Sequence, residues 1–178
     1  MTTILHSARA RADLDAFIAR FTPAIAALIR SCLARMRARL PGATEFVYDN
    51  HYALVVGYGP TDRPSDALFS IAAYPDHVSV CFLQGAKLAR AGGDPDGLLQ
   101  GHGNQVRHIR LAGAAALGTR GVRALIARSI ARSPAPFDRS RPLLTIVKAV
   151  SAHPRPRRPR PGATSRSAPP TRPRRTRG

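Results

Sequence analysis

The chain has 178 residues, and its 28 Lys and Arg residues against 10 Asp and Glu give a net charge of +18 at pH 7. Hydrophobic residues make up 44% of the chain, which is typical of a globular protein and excludes full disorder. No apolar run approaches the roughly 20 residues of a membrane-spanning helix. Two cysteines, Cys32 and Cys81, are too few for a disulfide scaffold or for a zinc site of their own. Residues 1–12 lack the apolar stretch of a secretory signal, so a cytoplasmic protein is expected.

Basic residues are concentrated at the C-terminal end of the chain. Residues 151–178 contain nine arginines, seven prolines and no acidic residue. With no apolar side chain larger than Ala and Pro, this stretch has little to bury, and it is predicted to be a disordered tail. Mobile arginines neutralise phosphates without reading base sequence, so the tail is predicted to bind nucleic acid or another polyanion; a solvated extension without a partner is the alternative. The candidate contact residues are Arg155, Arg157, Arg158, Arg160, Arg172, Arg174, Arg175 and Arg177.

Apolar residues at helical spacing predict two helices before residue 42. Asp13 is placed to cap a short helix that runs through Phe21. Thr22 and Pro23 are typical of the start of a second helix, which should continue to about Leu40. The second helix has one apolar stripe, formed by Ile25, Leu28, Ile29, Cys32, Leu33, Met36 and Leu40.

From residue 44 the apolar spacing becomes alternating, which predicts strands. Four strands joined by short turns are predicted at residues 44–50, 52–58, 67–74 and 77–83, and a fifth at residues 106–111. A last helix, capped by Thr119, is predicted over residues 120–132. Residues 143–150 are strongly strand-forming. We expect them either to add an edge strand or to cover the sheet.

This order of elements predicts an α+β fold. Strands joined by short turns are antiparallel, and helices before and after such a sheet form a second layer. We therefore expect a two-layer sandwich over residues 13–150. In it, an antiparallel sheet of four to five strands packs against an N-terminal and a C-terminal helix, with the tail outside.

The densest polar cluster is residues 100–110. Its glycines allow backbone N–H groups to approach an anion, and its arginines can form charge-assisted hydrogen bonds. Arg107 and Arg110 point to opposite faces of a strand, so a solvent-facing loop and strand is the alternative. The tyrosines of the first hairpin are expected either to stack on a ligand or to fill half-buried positions in the sheet. The ligand-binding candidates are Tyr48, Asn50, Tyr58, Gln84, Gln100, His102, Arg107 and Arg110.

Motifs of the common enzyme classes do not occur in the sequence. There is no phosphate-binding Gly-x-x-x-x-Gly-Lys loop, no Gly-x-Ser-x-Gly elbow and no Cys-x-x-Cys pair. No catalytic residue, metal site or cofactor is predicted.

Several segments, in order, resemble the YdhG-like domain, a bacterial family of unknown function. They are residues 47–50, 57–61, 70–72, 82–86, 98–101 and 106–110, and residues 146–152 are similar to a subgroup of the family. The resemblance covers about residues 13–159 and implies no reaction and no catalytic residue.

The order helix, sheet, helix also resembles the frataxin arrangement, which implies iron handling. Iron(II) prefers oxygen ligands such as carboxylates. Residues 23–40 contain no acidic residue but include Arg30, Arg35, Arg37 and Arg39, and this charge disfavours iron.

The leading hypothesis is therefore a non-catalytic binding or adaptor protein whose basic tail contacts a polyanion. The alternative is a small-molecule-binding protein or enzyme with a polar pocket near residues 100–110. Tyr48, Tyr58, Gln84, His102 and Arg107 would frame that pocket.

Overall fold

The computed structural model describes residues 2–158, with side chains from residue 7 onward. In this part of the chain the helices are α1 (Thr2–Ala19), α2 (Pro23–Arg39), α3 (Gly85–Arg90) and α4 (Arg120–Ile130). The strands are β1 (Thr44–Asp49), β2 (Leu54–Gly59), β3 (Phe69–Ala73), β4 (Val78–Phe82), β5 (Arg107–Leu111) and β6 (Leu144–Val150).

Helix α2 forms as its sequence predicts. The Ile25 amide donates to the Thr22 hydroxyl at 3.4 Å, and Pro23 occupies the first turn. Ile29, Cys32 and Met36 are buried along the predicted stripe.

Helix α1 begins at Thr2, well before the predicted start at Asp13. Residues 8–12 consist only of Ala and Arg, which are strong helix formers. Asp13 is therefore an interior residue of the helix rather than its cap.

The α+β prediction is confirmed, but the sheet has six strands and is mixed. Its order is β5-β4-β3-β2-β1-β6, and β6 pairs parallel to β1. The chain approaches β6 past Gly42, where an added Cβ would lie 1.8 Å from the Asp138 carbonyl oxygen. Since this approach brings residue 144 beside the start of β1, β6 runs in the same direction as β1.

The register divides the sheet into two faces. Val47 lies opposite Val56, and Val56 lies opposite Ile71, so these side chains share one face. That face and the apolar stripes of α1, α2 and α4 form one buried cluster. Glu45 and Asp49 share the face with Val47 because strand side chains alternate, and both carboxylates are buried.

The outer edge of the sheet at β6 is protected by α1. The Thr145 amide, in the edge strand, donates to the buried hydroxyl of Ser7 at 3.0 Å. An edge strand otherwise presents unpaired backbone groups to other chains. The serine closes one of these positions.

Residues 151–158 pack on the domain, so the ordered chain extends past the predicted boundary at residue 150. The Ser151 amide donates to the Asp49 carbonyl and the Arg155 amide to the His51 carbonyl, both at 2.8 Å. Arg157 is only 4% exposed. A buried carboxylate, rather than apolar side chains, holds this segment. The remaining predicted tail contacts, Arg160, Arg172, Arg174, Arg175 and Arg177, lie outside the described residues.

Candidate functional site

The structure does not bring the predicted hairpin residues together. Tyr58 is fully buried on the sheet face that packs on the helices. Tyr48 lies on the other face, because it is one residue from Val47 in the same strand. Asn50 is exposed just after β1. These three residues therefore do not line a common pocket.

Arg107 and Arg110 of β5 lie on opposite faces of the sheet and do not converge on one anion. Arg107 donates to the carbonyl oxygens of its neighbours Gly103 and Val106, the latter at 2.9 Å. Arg110 lies on the opposite face, paired with exposed Asp76 at 3.5 Å. The prediction that these two arginines face opposite ways is confirmed.

Gln100 and His102 are both exposed in the segment before β5. The Gln100 backbone forms a two-way bridge with His108, at 2.9 and 3.0 Å, and so extends the sheet. His102 is exposed in the loop.

Gln84, one of the predicted binding residues, lines a hollow. A cavity of about 280 Å³ lies between α3 and the end of α4, above buried Leu68 and Leu88. Gln84, Lys87, Ser129 and Arg132 form its walls. An adjoining hollow of about 230 Å³ shares Gln84 and Lys87 and reaches Gln105. We call these two hollows together the α3 groove.

A buried ion pair joins α2 to the sheet. Glu45 is fully buried, and it accepts from Arg37 at 2.8 and 3.0 Å and from the Thr145 hydroxyl at 3.0 Å. The hydrogen bonds that Arg37 donates to Glu45 raise the pKa of the Arg37 guanidinium. Arg37 therefore stays charged, and both carboxylate oxygens of Glu45 are occupied by hydrogen bonds within the fold.

The phenol of Tyr58 lies beside this pair and is not poised for catalysis. Burial, followed by the negative charge of Glu45, raises its pKa well above the ordinary value. A phenol in that position stays protonated at neutral pH and cannot act as a base.

A second buried carboxylate holds the segment 151–158. Asp49 accepts from Arg20 at 2.7 Å and from Arg157 at 2.9 Å. Arg158 adds hydrogen bonds to the carbonyl oxygens of Ala19 and Phe21, at 3.2 and 3.1 Å, at the end of α1. A cation at a helix C-terminus is favourable because the last carbonyls lack partners. Two of the predicted polyanion contacts, Arg157 and Arg158, are therefore used within the protein.

The two thiols are not activated. Burial raises the pKa of Cys32 to about 11, and burial likewise raises the pKa of Cys81. Neither is a thiolate at neutral pH, so neither has the reactivity of a catalytic cysteine.

No metal centre is assembled in the described part of the chain, where no group of three or more His, Cys, Asp or Glu side chains converges. Over the same residues, none of the helices has both the length and the apolar character that crossing a membrane requires.

Three arginines lie near one another where α2 packs on residues 114–118, just before α4. Arg35 and Arg39 are one helical turn apart on α2, and Arg123 lies in the first turns of α4. Arg39 donates to the Leu117 carbonyl at 3.0 Å. The Arg35 guanidinium lies beside Gly118, 3.8 Å from where a Cβ would sit. We call these residues the α2–α4 arginine cluster.

The positive charges of the α2–α4 arginine cluster repel one another. Burial, followed by the positive charges of Arg123 and Arg35, lowers the pKa of Arg39. Every Asp and Glu of the chain lies within the described residues, and none of them forms an ion pair with these three arginines. In the sequence, Arg35 and Arg39 are notable only as charges that disfavour iron. Arg123 is distant in the chain, so the sequence does not show that it lies near them.

No protein-family model matches this chain, and no curated protein or solved structure matches it.

Proposed function

We propose that the protein is a non-catalytic binding protein for phosphate-bearing polyanions such as nucleic acid. The observation that supports this most directly is the α2–α4 arginine cluster, in which like charges meet without a carboxylate. An anion placed among these guanidinium groups replaces repulsion by charge-assisted hydrogen bonds.

The balance of charge over the rest of the chain favours the same partner. The two buried carboxylates, Glu45 and Asp49, are neutralised within the fold. The chain keeps a net charge of +18, and its excess arginines attract a polyanion over a distance of about 10 Å at 0.1 M salt.

The arginines beyond residue 158 supply a second set of contacts under this proposal. They include Arg172, Arg174, Arg175 and Arg177 and alternate with Pro, Ser and Thr rather than with aromatic residues. Base stacking is therefore not available to them, and the binding should be insensitive to base sequence. Membership in the YdhG-like family stays part of the proposal and assigns no ligand of its own.

The test is the salt dependence of binding to a fluorescent DNA duplex, measured by anisotropy between 50 and 200 mM salt. Each neutralised phosphate contributes a slope of about −0.9 to log K against log salt. Replacing both Arg35 and Arg123 by Gln should reduce the slope by up to about 1.8. Ending the chain after Arg158 removes six arginines and should reduce it by up to about 5.

Two comparisons make the test specific. Arg11 and Arg63 are exposed and lie in α1 and in the loop between β2 and β3 rather than in α2 or α4. The Arg11→Gln, Arg63→Gln variant therefore loses the same charge outside the cluster and should keep most of the slope. Cutting after Arg158 rather than after Val150 leaves the Asp49–Arg157 contact in place. Binding that is independent of salt, or equal in all four proteins, contradicts the proposal.

A further inference from the structure

We infer that the α3 groove is a binding site for a small amphipathic anion, a carboxylate or phosphate group attached to an apolar body. This site is separate from the α2–α4 arginine cluster and does not depend on polyanion binding. The inference combines three properties of the groove: an apolar floor, cationic walls and a fixed shape.

The floor of the groove is apolar and the walls are positive. Leu68 and Leu88 are 5% and 3% exposed, so they present hydrocarbon at the base without being displaced from the core. Lys87 and Arg132 are exposed above them. No carboxylate lines either hollow of the groove among the described residues. This is the distribution expected for a ligand with an apolar end and a negative end.

The polar groups of the walls select an anion rather than a cation. Selection of an anion depends on Lys87 and Arg132, because Ser129 already donates its hydroxyl proton to the Leu125 carbonyl at 2.9 Å. The side chains of Lys87 and Arg132 can donate hydrogen bonds but cannot accept them, so they favour a ligand with acceptor oxygens. The Gln84 amide is exposed between the two hollows and is available to orient a carboxylate or phosphate oxygen.

The groove keeps its shape without a ligand, because α3 is held at both ends. The Ala86 amide donates to the Gln105 carbonyl at 2.9 Å, and Gly85 packs so closely on β5 that an added Cβ would lie 2.5 Å from the Cβ of Arg107. At the other end, Arg128 on α4 donates to the Gly93 carbonyl at 2.9 Å. A preformed site loses less conformational freedom on binding than a flexible one.

The volume sets the size of the ligand. The main cavity of about 280 Å³ is several times larger than the roughly 30 Å³ that one water molecule occupies in the liquid, so it has room for a small organic molecule with a short hydrocarbon chain. A straight-chain carboxylate such as octanoate has this size, and 1-octanol has the same chain without the charge.

The experiment titrates the full chain with octanoate and with 1-octanol and follows backbone amide signals by NMR. We expect octanoate to shift the signals of Leu68, Gln84, Leu88 and Ser129, and to bind at least tenfold more tightly than 1-octanol. Equal affinity for the two compounds, or shifts confined to other regions, overturns the inference.

Variants identify the side chains responsible. Lys87→Met together with Arg132→Met should weaken octanoate binding at least tenfold. Arg90→Met, an equally exposed cation on the same helix that does not line the main cavity, should leave it unchanged. Ala91→Trp fills the groove from an exposed position and should abolish binding of both compounds. Tight binding by the Trp variant, or equal losses in the Arg90 and Lys87/Arg132 variants, contradicts the assignment.

Discussion

Arg157 joins the C-terminal segment to the domain, and its removal tests whether that contact stabilises the fold. The Asp49 and Arg157 side chains are 1% and 2% exposed, and they meet at 2.9 Å. Breaking a buried pair by removing one partner costs about 3–5 kcal/mol. Two features reduce the cost here: Asp49 keeps Arg20 at 2.7 Å, and two guanidinium nitrogens of Arg157 are buried without a partner among the described residues.

We therefore expect Arg157→Met to lower the free energy of unfolding by about 2 kcal/mol, since Met keeps an unbranched apolar side chain at this buried position while removing the charge. The change also removes the guanidinium that lies 5.7 Å from the centroid of the Phe21 ring. Asp49→Asn should cost more, about 4 kcal/mol, because it leaves Arg157 buried with no anion. For a domain of about 150 residues, the first change corresponds to a fall in Tm of roughly 4–8 °C.

The assay is urea unfolding of the full chain and of the single and double variants, followed by circular dichroism. The double variant should lose less stability than the sum of the singles, because the two changes remove one shared interaction. Arg155→Met is the control: Arg155 is exposed and lies 4.7 Å above the ring of exposed Tyr52, so its loss should cost under about 1 kcal/mol. If Arg157→Met is no more destabilising than Arg155→Met, the packing of residues 151–158 does not contribute to stability.

Three further changes test the fold and its buried groups. Gly42 has a φ of +77° and no room for a Cβ, so Gly42→Ala should destabilise by about 3 kcal/mol or more in urea unfolding; a neutral result would show that the chain does not pass there into β6. Glu45→Gln should cost about 3 kcal/mol by thermal unfolding, because it leaves Arg37 facing a neutral amide, whereas the isosteric Thr145→Val should cost only about 1 kcal/mol. The pKa of Cys32 is raised to about 11, so above pH 9 the unfolded chain releases a proton that the folded protein retains, and stability falls as pH rises. Cys32→Ala should reduce the loss of stability between pH 9 and 11 by up to about 3 kcal/mol; identical pH profiles for the variant and the parent would contradict the burial of the thiol.

The helices and hairpins are largely readable from the sequence because their signals are local. Thr22 and Pro23 mark the start of α2, and alternation marks β1 to β4, where neighbours in sequence are also neighbours in the sheet. The start of α1 is not predictable in this way. Asp13 is a favourable capping residue, but the Ala and Arg residues before it have high helix propensity and continue the helix towards the N-terminus.

The candidate sites are less readable, because each is assembled from distant parts of the chain. The sequence predicts Gln84 as a ligand-binding candidate. The residues that line the groove with it, Ser129 and Arg132, come from the end of α4 and the residues just after it. The arginine cluster likewise needs Arg123 beside Arg39, which are 84 positions apart. The composition shows an excess of basic residues, but it does not show which arginines lack a carboxylate partner in the fold.

Composition and periodicity by themselves determined a basic α+β protein with an apolar core, because burial of apolar stripes follows from spacing of 3.6 or 2 residues along the chain. The tertiary structure decided the direction of β6, which depends on where the chain crosses Gly42. It also decided that Arg157 lies inside the fold rather than in solvent. The Arg157 guanidinium is buried because it pairs with the Asp49 carboxylate, and Asp49 lies 108 positions earlier in the chain.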